Sequence, residues 1–447
     1  MKTFRALLEY PSAVMGVILL IFMFSLAAYA MISIPYAEAI RRWRGAEEIS
    51  YNLPKMAAPT WWNTFRSEEE KLSETIILSS TDESVEKVYS DSSGEISNVT
   101  FELTFDYAYD QFPDDIRIFF NSTFAEKKPH VNISLIQPNG QEVRITSTSA
   151  ESKSTYILSQ DEVLTRRLGR ILPGHEAVMA IDPTDENSNA QQGTYTFIFK
   201  GNLFEAESDL DAELVVYGDV YGIAGTDHRR RDISTALLWG TPIALTFGLL
   251  AALGTSVTTM VIAAIGTWYG GWVDAAIQRI TEINLVIPFY PVLIMVGTFY
   301  SRSIWLMLGV LILLFIFGGG IKSYRAIFLQ VKESGYIEAA QAYGASGPRI
   351  IMRYLVPRIL PTLIPGLVTY IPTFVFVETA LNVLGLGDPI LPTWGKVISD
   401  ANVNGALYQG MYWWVLEPAI LLMITALAFS LLGFALDRIF NPRLRGM

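Results

Sequence analysis

ISTALLWGTPIALTFGLLAALGTSVTTMVIAAIGTWYGGWV, residues 233–273, contains no charged residue between Asp232 and Asp274. Crossing the hydrocarbon core of a bilayer as a helix takes ~20 apolar residues. This run is longer than one crossing requires at ~1.5 Å per residue. It reads as one crossing near Thr241–Trp268, followed by an interfacial stretch through Gly270, Gly271 and Trp272. A buried helix of a soluble protein is the competing reading, and the rest of the chain argues against it.

Five further runs share the property: Pro11–Ala37, Ile283–Ser301, Ser303–Ile321, Ile359–Val377 and Pro418–Leu436. The first exceeds the ~7–15 apolar residues of a secretory leader, so it reads as a retained anchor. Trp239, Trp268, Tyr300, Trp305, Tyr324, Trp413 and Trp414 lie at run ends, where amphipathic rings suit the membrane interface. The expected fold class is membrane α-helical, with six transmembrane helices.

Charge divides the chain in two. Residues 36–220 carry a net charge of −16 and the remainder +5, within a total of −11. Short alternating runs in the acidic stretch, at 99–105, 116–120, 131–135, 143–147, 194–200 and 213–217, predict strands. Asn139–Gly140 suits a hairpin turn. An inserted extracellular β-sandwich-like domain over 38–220 follows, between a first segment of residues 1–37 and a helical core of residues 221–447. Asn98, Asn121 and Asn132 begin Asn-x-Ser/Thr triplets and are candidate glycosylation sites. Glu68–Glu69–Glu70–Lys71 reads as a solvated helix face.

Chemistry is sparse. The chain has no cysteine and three scattered histidines, His130, His175 and His228. That removes thiolate chemistry and disulfides and argues against a metal centre, so neither a metal nor a cofactor is expected in this chain. Gly318–Gly319–Gly320 lacks the Lys-Ser/Thr of a phosphate loop and reads as a hinge or packing site. No basic stripe suggests nucleic acid.

The most basic short loop, residues 322–358, holds six Lys/Arg against Glu333 and Glu338. The positive-inside rule places it in the cytoplasm, which makes both termini cytoplasmic and residues 38–220 external. Arg438, Arg443 and Arg445 in the tail agree; Arg41–Arg42–Arg44 and Arg229–Arg230–Arg231 oppose, but long domains translocate largely regardless of charge. Within the loop, Tyr336, Glu338, Ala339, Ala340, Ala342, Gly344, Ala345 and Ser346 predict helix, break, helix. Gly344 allows a positive-φ exit, Ser346 or Gly347 caps the second helix, and Pro348 fits its first turn. The second helix is expected to run to about Pro357. Such a hairpin suits helix-in-groove docking, although an ordinary amphipathic connector has the same spacing.

Glu338-Ala339-Ala340 followed by Gly344 resembles the EAA loop of ABC import permeases. Gly225-Thr226-Asp227, Arg231-Asp232, Gly270-Gly271, Asp274, Arg279, Pro288, Glu378, Leu384-Gly385-Leu386-Gly387, Trp394-Gly395, Leu432-Gly433, Asp437 and Pro442-Arg443-Leu444 extend the resemblance to the second permease subunit of dipeptide/oligopeptide importers. Arg230 and the size of the insertion depart from that pattern. The resemblance implies a type I importer permease without enzymatic activity. Its implied partners are a second permease subunit, two ATPase subunits that bind ATP and Mg, an extracellular solute-binding protein and membrane lipid. The implied solute is an oligopeptide or an oligosaccharide.

Ionisable or irregular positions inside a span are the natural pathway candidates. Pro365, Tyr370, Pro372 and Glu378 on the fifth run are those candidates. Glu378, at the outer end of its run, suits a capping or pairing role better than solute contact. Pro361, Pro365 and Pro372 are expected to kink that helix repeatedly. Asp274 and Arg279 are expected to shape the turn after the second crossing, and Gly248 and Gly254 to be packing contacts. Two rival functions remain: a membrane-anchored receptor or adhesin acting through its β domain, and a membrane-embedded enzyme. The second would need paired acids or ligand clusters within the spans.

Overall fold

The computed structural model describes residues 10–45, 49–67, 70–91, 97–205 and 207–440. Glu68, Glu69 and the Pro442-Arg443-Leu444 tail with Arg445 lie outside them. The chain divides into a unit of residues 1–44 and 234–447 and a unit of residues 45–233.

The first unit is helical. Four helices are long and apolar enough to cross a membrane: α1 (Pro11–Ser33), α5 (Ile233–Tyr269), the continuous stretch Gly347–Leu386 and α14 (Trp413–Phe440). Among the described residues, two bent pairs bring the number to as many as six if each pair is one span. They are α6 (Gly271–Val286) with α7 (Phe289–Phe299), at 79°, and α8 (Ile304–Ile316) with α9 (Gly320–Lys332), at 47°. Both departures from straight crossings have a local cause. Pro288 cannot donate to the ladder at the first bend, and Gly318–Gly319–Gly320 supplies the second.

The expected first crossing, 11–37, stops at Ser33. Tyr36–Arg44 forms a separate amphipathic helix, α2, with Ala39 and Trp43 buried and Arg41 and Arg42 outward. Both arginines bond Glu38 and hold its carboxyl down to about 2.

Close packing in this unit relies on glycine. A Cβ at Gly16 would lie 3.0 Å from the Ala428 carbonyl oxygen, and one at Gly248 2.9 Å from that of Ile371. Gly254 faces Ile312 as tightly. Small residues let helix backbones approach where lipid offers no hydrophobic driving force.

The second unit is a two-sheet β structure. One sheet has the order β1 (Ile76–Ser79), β9 (Asp209–Tyr217), β4 (Asp115–Thr123), β7 (Ser154–Ile157). The other runs β2 (Val88–Asp91), β3 (Ser97–Tyr107), β8 (Gly193–Leu203), β5 (His130–Ile136), β6 (Glu142–Ser149). Every named pairing is antiparallel. The inward rows of both sheets meet in one core containing Phe101, Leu103, Phe197, Phe199, Ile118 and Leu214, with the rings of Phe101 and Phe199 stacked at 4.9 Å. All six expected strands form. Two short helices, α3 (Glu162–Arg167) and α4 (Gly174–Ala177), lie between β7 and β8.

The division of the chain falls at Gly45 and at Ile233–Ser234, not at 37/38 and 220/221. The amphipathic α2 packs with the helices, through Ile40 against their core. Residues 221–232 instead pair with the start of the β unit. Thr60 N–H donates to the Gly222 carbonyl at 2.9 Å and Met56 N–H to that of Asp227 at 3.1 Å. Gly225, at φ 70°, lies so close to Ala57 that a Cβ would meet its carbonyl oxygen at 2.3 Å. Arg230 adopts a positive φ of 61° and stacks its guanidinium 4.4 Å over the Tyr217 ring. Asp227 and Arg231 form a buried ion pair at 2.6 Å.

Candidate coupling loop and membrane cavity

Residues 335–350 fold as the sequence predicts in outline. Helix α10 (Gly335–Ala342) carries Glu338 in its first turn, where the helix dipole favours a negative charge. It ends in a Schellman pair: Ala345 N–H donates to the Ala340 carbonyl at 3.0 Å, and Gly344 N–H to that of Gln341 at 2.9 Å. Gly344 takes the φ of 76° that this exit demands, and no atom crowds its missing side chain. Helix α11 (Gly347–Ile350) then begins after Ser346, with Pro348 in its first turn and no side-chain cap from Ser346.

The predicted coupling residues split between two faces. Tyr336, Glu338, Ala339, Ala342, Gly344 and Ser346 are exposed. Ala340 is buried on α10, and Ile337, Ile350 and the packed Ala345 belong to a core that also holds Met260 and Ala264 of α5 and Phe328 of α9. Ala340 and Ala345 therefore seat the loop and do not present themselves to a partner. Tyr343, 92% exposed, stands at the tip beside Gly344 and was not singled out from the sequence. An aromatic next to a helix-ending glycine was the available signal.

Two contacts fix the loop to the end of α5. Lys332 Nζ donates to the Thr267 and Trp268 carbonyls at 2.8 and 3.0 Å, capping orphan acceptors of the helix terminus. Gly347 lies against Trp268 and Tyr269, where a Cβ would approach Trp268 Nε1 to 2.8 Å. Alongside, Asp274 of α6 binds Arg325 of α9 through a two-pronged ion pair, the shortest arm 2.5 Å. Among the described residues Arg279 pairs only with Glu282, at 3.5 Å on an exposed face.

The second helix of the hairpin does not stop near Pro357. It passes through a π turn at Ile351–Leu355 into α12 (Val356–Leu381), giving one helical stretch to Leu386. Pro357 lacks the N–H that would bond the Arg353 carbonyl, and the π turn lies where that ladder must relax. Pro361, Pro365 and Pro372 lie within α12 without ending it.

A cavity of about 760 Å³ opens among α5, α6, α8, α9 and α12. Thr255, Ser256, Asn284, Thr362, Thr369 and Tyr370 supply its polar lining. The hydroxyls of Thr255 and Ser256 have no hydrogen-bond partner among the described residues. Of the pathway candidates, Tyr370 lines this cavity. Pro365 and Pro372 are buried in packing, and Glu378 is buried with its Oε1 accepting from Asn382 Nδ2 at 2.6 Å. Those three do not line it. Asn382 belongs to the π turn at the end of α12, and α13 (Trp394–Val403) packs there, with Gly395 against Asn382. Glu378 thus pairs with Asn382 one turn further along the same helical stretch. The polar small residues of α5 and α12 were missed because single Ser and Thr residues do not interrupt an apolar run.

Residues 234–446 match the family described as binding-protein-dependent transport system inner membrane component. The dipeptide transport system permease DppC of Alkalihalophilus pseudofirmus is 30% identical over 224 residues, which is 49% of this chain and 72% of the relative. The chain belongs to this permease family. The oligopeptide permease OppC of Escherichia coli is also 30% identical, over 227 residues, 49% of this chain and 72% of the relative. The peptidoglycan transport system permease YejE of Agrobacterium fabrum is 29% identical over 181 residues, 40% and 47% of the two chains. The family match covers the helical unit from α5 onward and leaves the β unit outside it. These relatives are permease subunits, and this chain is a multi-pass membrane permease.

Proposed function

We propose that this chain is one of two permease subunits of an ABC importer of short peptides. Two ATPase subunits engage the exposed face of α10, and an extracellular binding protein delivers the solute. ATP and Mg are bound and used by the ATPase subunits, so the chain contributes no catalysis of its own. The observation that carries the reading is the coupling loop. Its tip (Glu338, Ala339, Ala342, Tyr343 and Gly344) is exposed while its underside is anchored in the helical core, as a knob for a partner's groove needs to be. Peptide is preferred to oligosaccharide as solute because the relatives named above are peptide and peptidoglycan permeases.

In this reading the loop and both termini are cytoplasmic and residues 38–220 are external. Of the three candidate glycosylation sites, Asn121 is exposed, whereas Asn98 and Asn132 are half-buried and Asn132 accepts from the Ser147 hydroxyl at 2.6 Å. Solute passes along the Thr255, Ser256 and Tyr370 side of the helical unit, where the unspent Thr255 and Ser256 hydroxyls can replace lost hydration.

The test is gentle extraction followed by affinity purification and an ATPase assay with peptide-loaded binding protein. A second permease and ATPase subunits should co-purify, with solute-dependent ATPase activity abolished by Gly344→Asp. Recovery of the chain alone would refute the reading.

A further inference from the structure

The outward face of the four-stranded sheet carries a cavity of about 730 Å³, within the range of small-molecule sites. Its floor is set by register. Ser79, Glu213, Phe119 and Thr155 stand directly opposite one another on β1, β9, β4 and β7, so one row of side chains crosses the whole sheet. Asp211 and Asn121 form the next row. Tyr51 closes one side, its ring edge-on to Phe119 at 4.6 Å, and its backbone carbonyl accepts from the Tyr217 hydroxyl.

Asp211 is already committed, accepting from Ser80 Oγ at 2.9 Å and Lys87 Nζ at 2.5 Å. Glu213 is not. Its Oε1 is enclosed and has no hydrogen-bond partner among the described residues. Burial pushes the Glu213 carboxyl up, although Asn52 and Tyr51 bond it. An enclosed carboxylate oxygen beside two aromatic rings lacks a cationic donor, and an ammonium satisfies both the acceptor and the ring faces. Lys153 lines the same cavity, is exposed and has no carboxylate partner among the described residues. Thr155 lies two strand spacings, ~9–10 Å, from Glu213, and Lys153 precedes it by two residues, so the two charges are set apart across the floor.

We propose that this cavity binds a short peptide with free termini, its ammonium at Glu213 against Tyr51 and Phe119 and its carboxylate at Lys153. The site gives the β unit a solute-capturing role of its own. The choice of peptide over other zwitterions rests on the import reading above.

The experiment is calorimetric titration of the full chain in lipid nanodiscs with tri-alanine. Binding should weaken about ten-fold when the peptide is N-acetylated, the scale of losing one charge-assisted hydrogen bond. Glu213→Gln should cost the same, and the two losses should not add. Lys153→Met should erase the preference for the free carboxylate over its amide. Unchanged near-ultraviolet circular dichroism of Glu213→Gln controls for folding, and the acetylation comparison needs no variant. Absence of tri-alanine binding at millimolar concentration, or binding indifferent to acetylation or to Glu213→Gln, would overturn the proposal. ATPase activity of the assembled importer is read separately. Peptide stimulation there without calorimetric binding sinks this site alone, whereas stimulation only by a non-peptide solute sinks the import reading.

Discussion

The two units of this chain build their interiors by opposite means. The β unit fills its core with large rings and branched aliphatics on alternating positions, Phe101, Tyr195, Phe197 and Phe199 among them. The helical unit removes side chains where helices meet, at Gly16, Gly240, Gly248 and Gly433. In water, burying apolar surface is itself the driving force, so bulk is stabilising. In lipid that force is absent between helices, and contact depends on how closely backbones can approach. The difference teaches that adding and removing atoms should have opposite consequences in the two halves.

The largest effect should therefore come from adding bulk among the helices. Gly240 packs on Trp394, where a Cβ would come within 2.4 Å of Cδ1, and Trp394 Nε1 donates to the Leu237 carbonyl at 2.9 Å. Gly240→Leu is expected to prevent recovery of folded chain, read as loss of the monodisperse peak on size-exclusion chromatography in mild detergent. Removing atoms from the β core should come next. Phe197→Ala is expected to cost ~3–5 kcal/mol, seen in the denaturant midpoint of the β-sheet circular dichroism signal. Equal tolerance of both changes would remove the contrast.

Gly344→Asp should show a smaller structural effect and a large functional one. Nothing crowds the position, so the cost to stability is the ~1–2 kcal/mol of a left-handed non-glycine residue, while coupling to the ATPase is lost. A thermal melt compared with solute-stimulated ATPase activity separates the two.

The smallest effect is in pH dependence. Burial holds the Glu213 carboxyl above its usual value. The stability linked to its proton is fully present below the unfolded value, ~4.3, and is lost as pH rises through the folded value. The β unit of Glu213→Gln should therefore lose less stability than the parent from pH 4 upward. Parallel melting curves of the two across that window would show that Glu213 is not strained.

Legibility also differed between the halves. The six strands found from sequence all carry a clean alternation, such as Phe101, Leu103 and Phe105 on β3. β1, β2 and β7 were missed. Each is four residues long and lies at a sheet edge, where one side is unpaired and a polar residue such as Ser90 costs little. Hydropathy found each candidate span among the described residues but not its shape. A run of apolar residues reads the same whether straight or bent, so the 79° break at Pro288 was invisible until the helices were placed. In the coupling loop the exit at Gly344 was readable, because few residues take its φ. The burial of Ala340 was not, since alanine suits either face of a helix. The cavity on the four-stranded sheet was unreadable for another reason: it depends on register across four strands, two of them unrecognised.

Helix α5 is 37 residues long, about 55 Å, well beyond the ~30 Å hydrocarbon core. One end is gripped by Lys332 and packed on Gly347, under the exposed tip of the coupling loop; at the other the chain passes into the β unit. Its only internal proline, Pro242, lies in the first third. Mechanically it is a lever pinned at its loop-bearing end. A tilt of about 5° over that length sweeps the far end through about 5 Å. A displacement of that size needs no hinge within the bilayer and no change in any side-chain rotamer along the way.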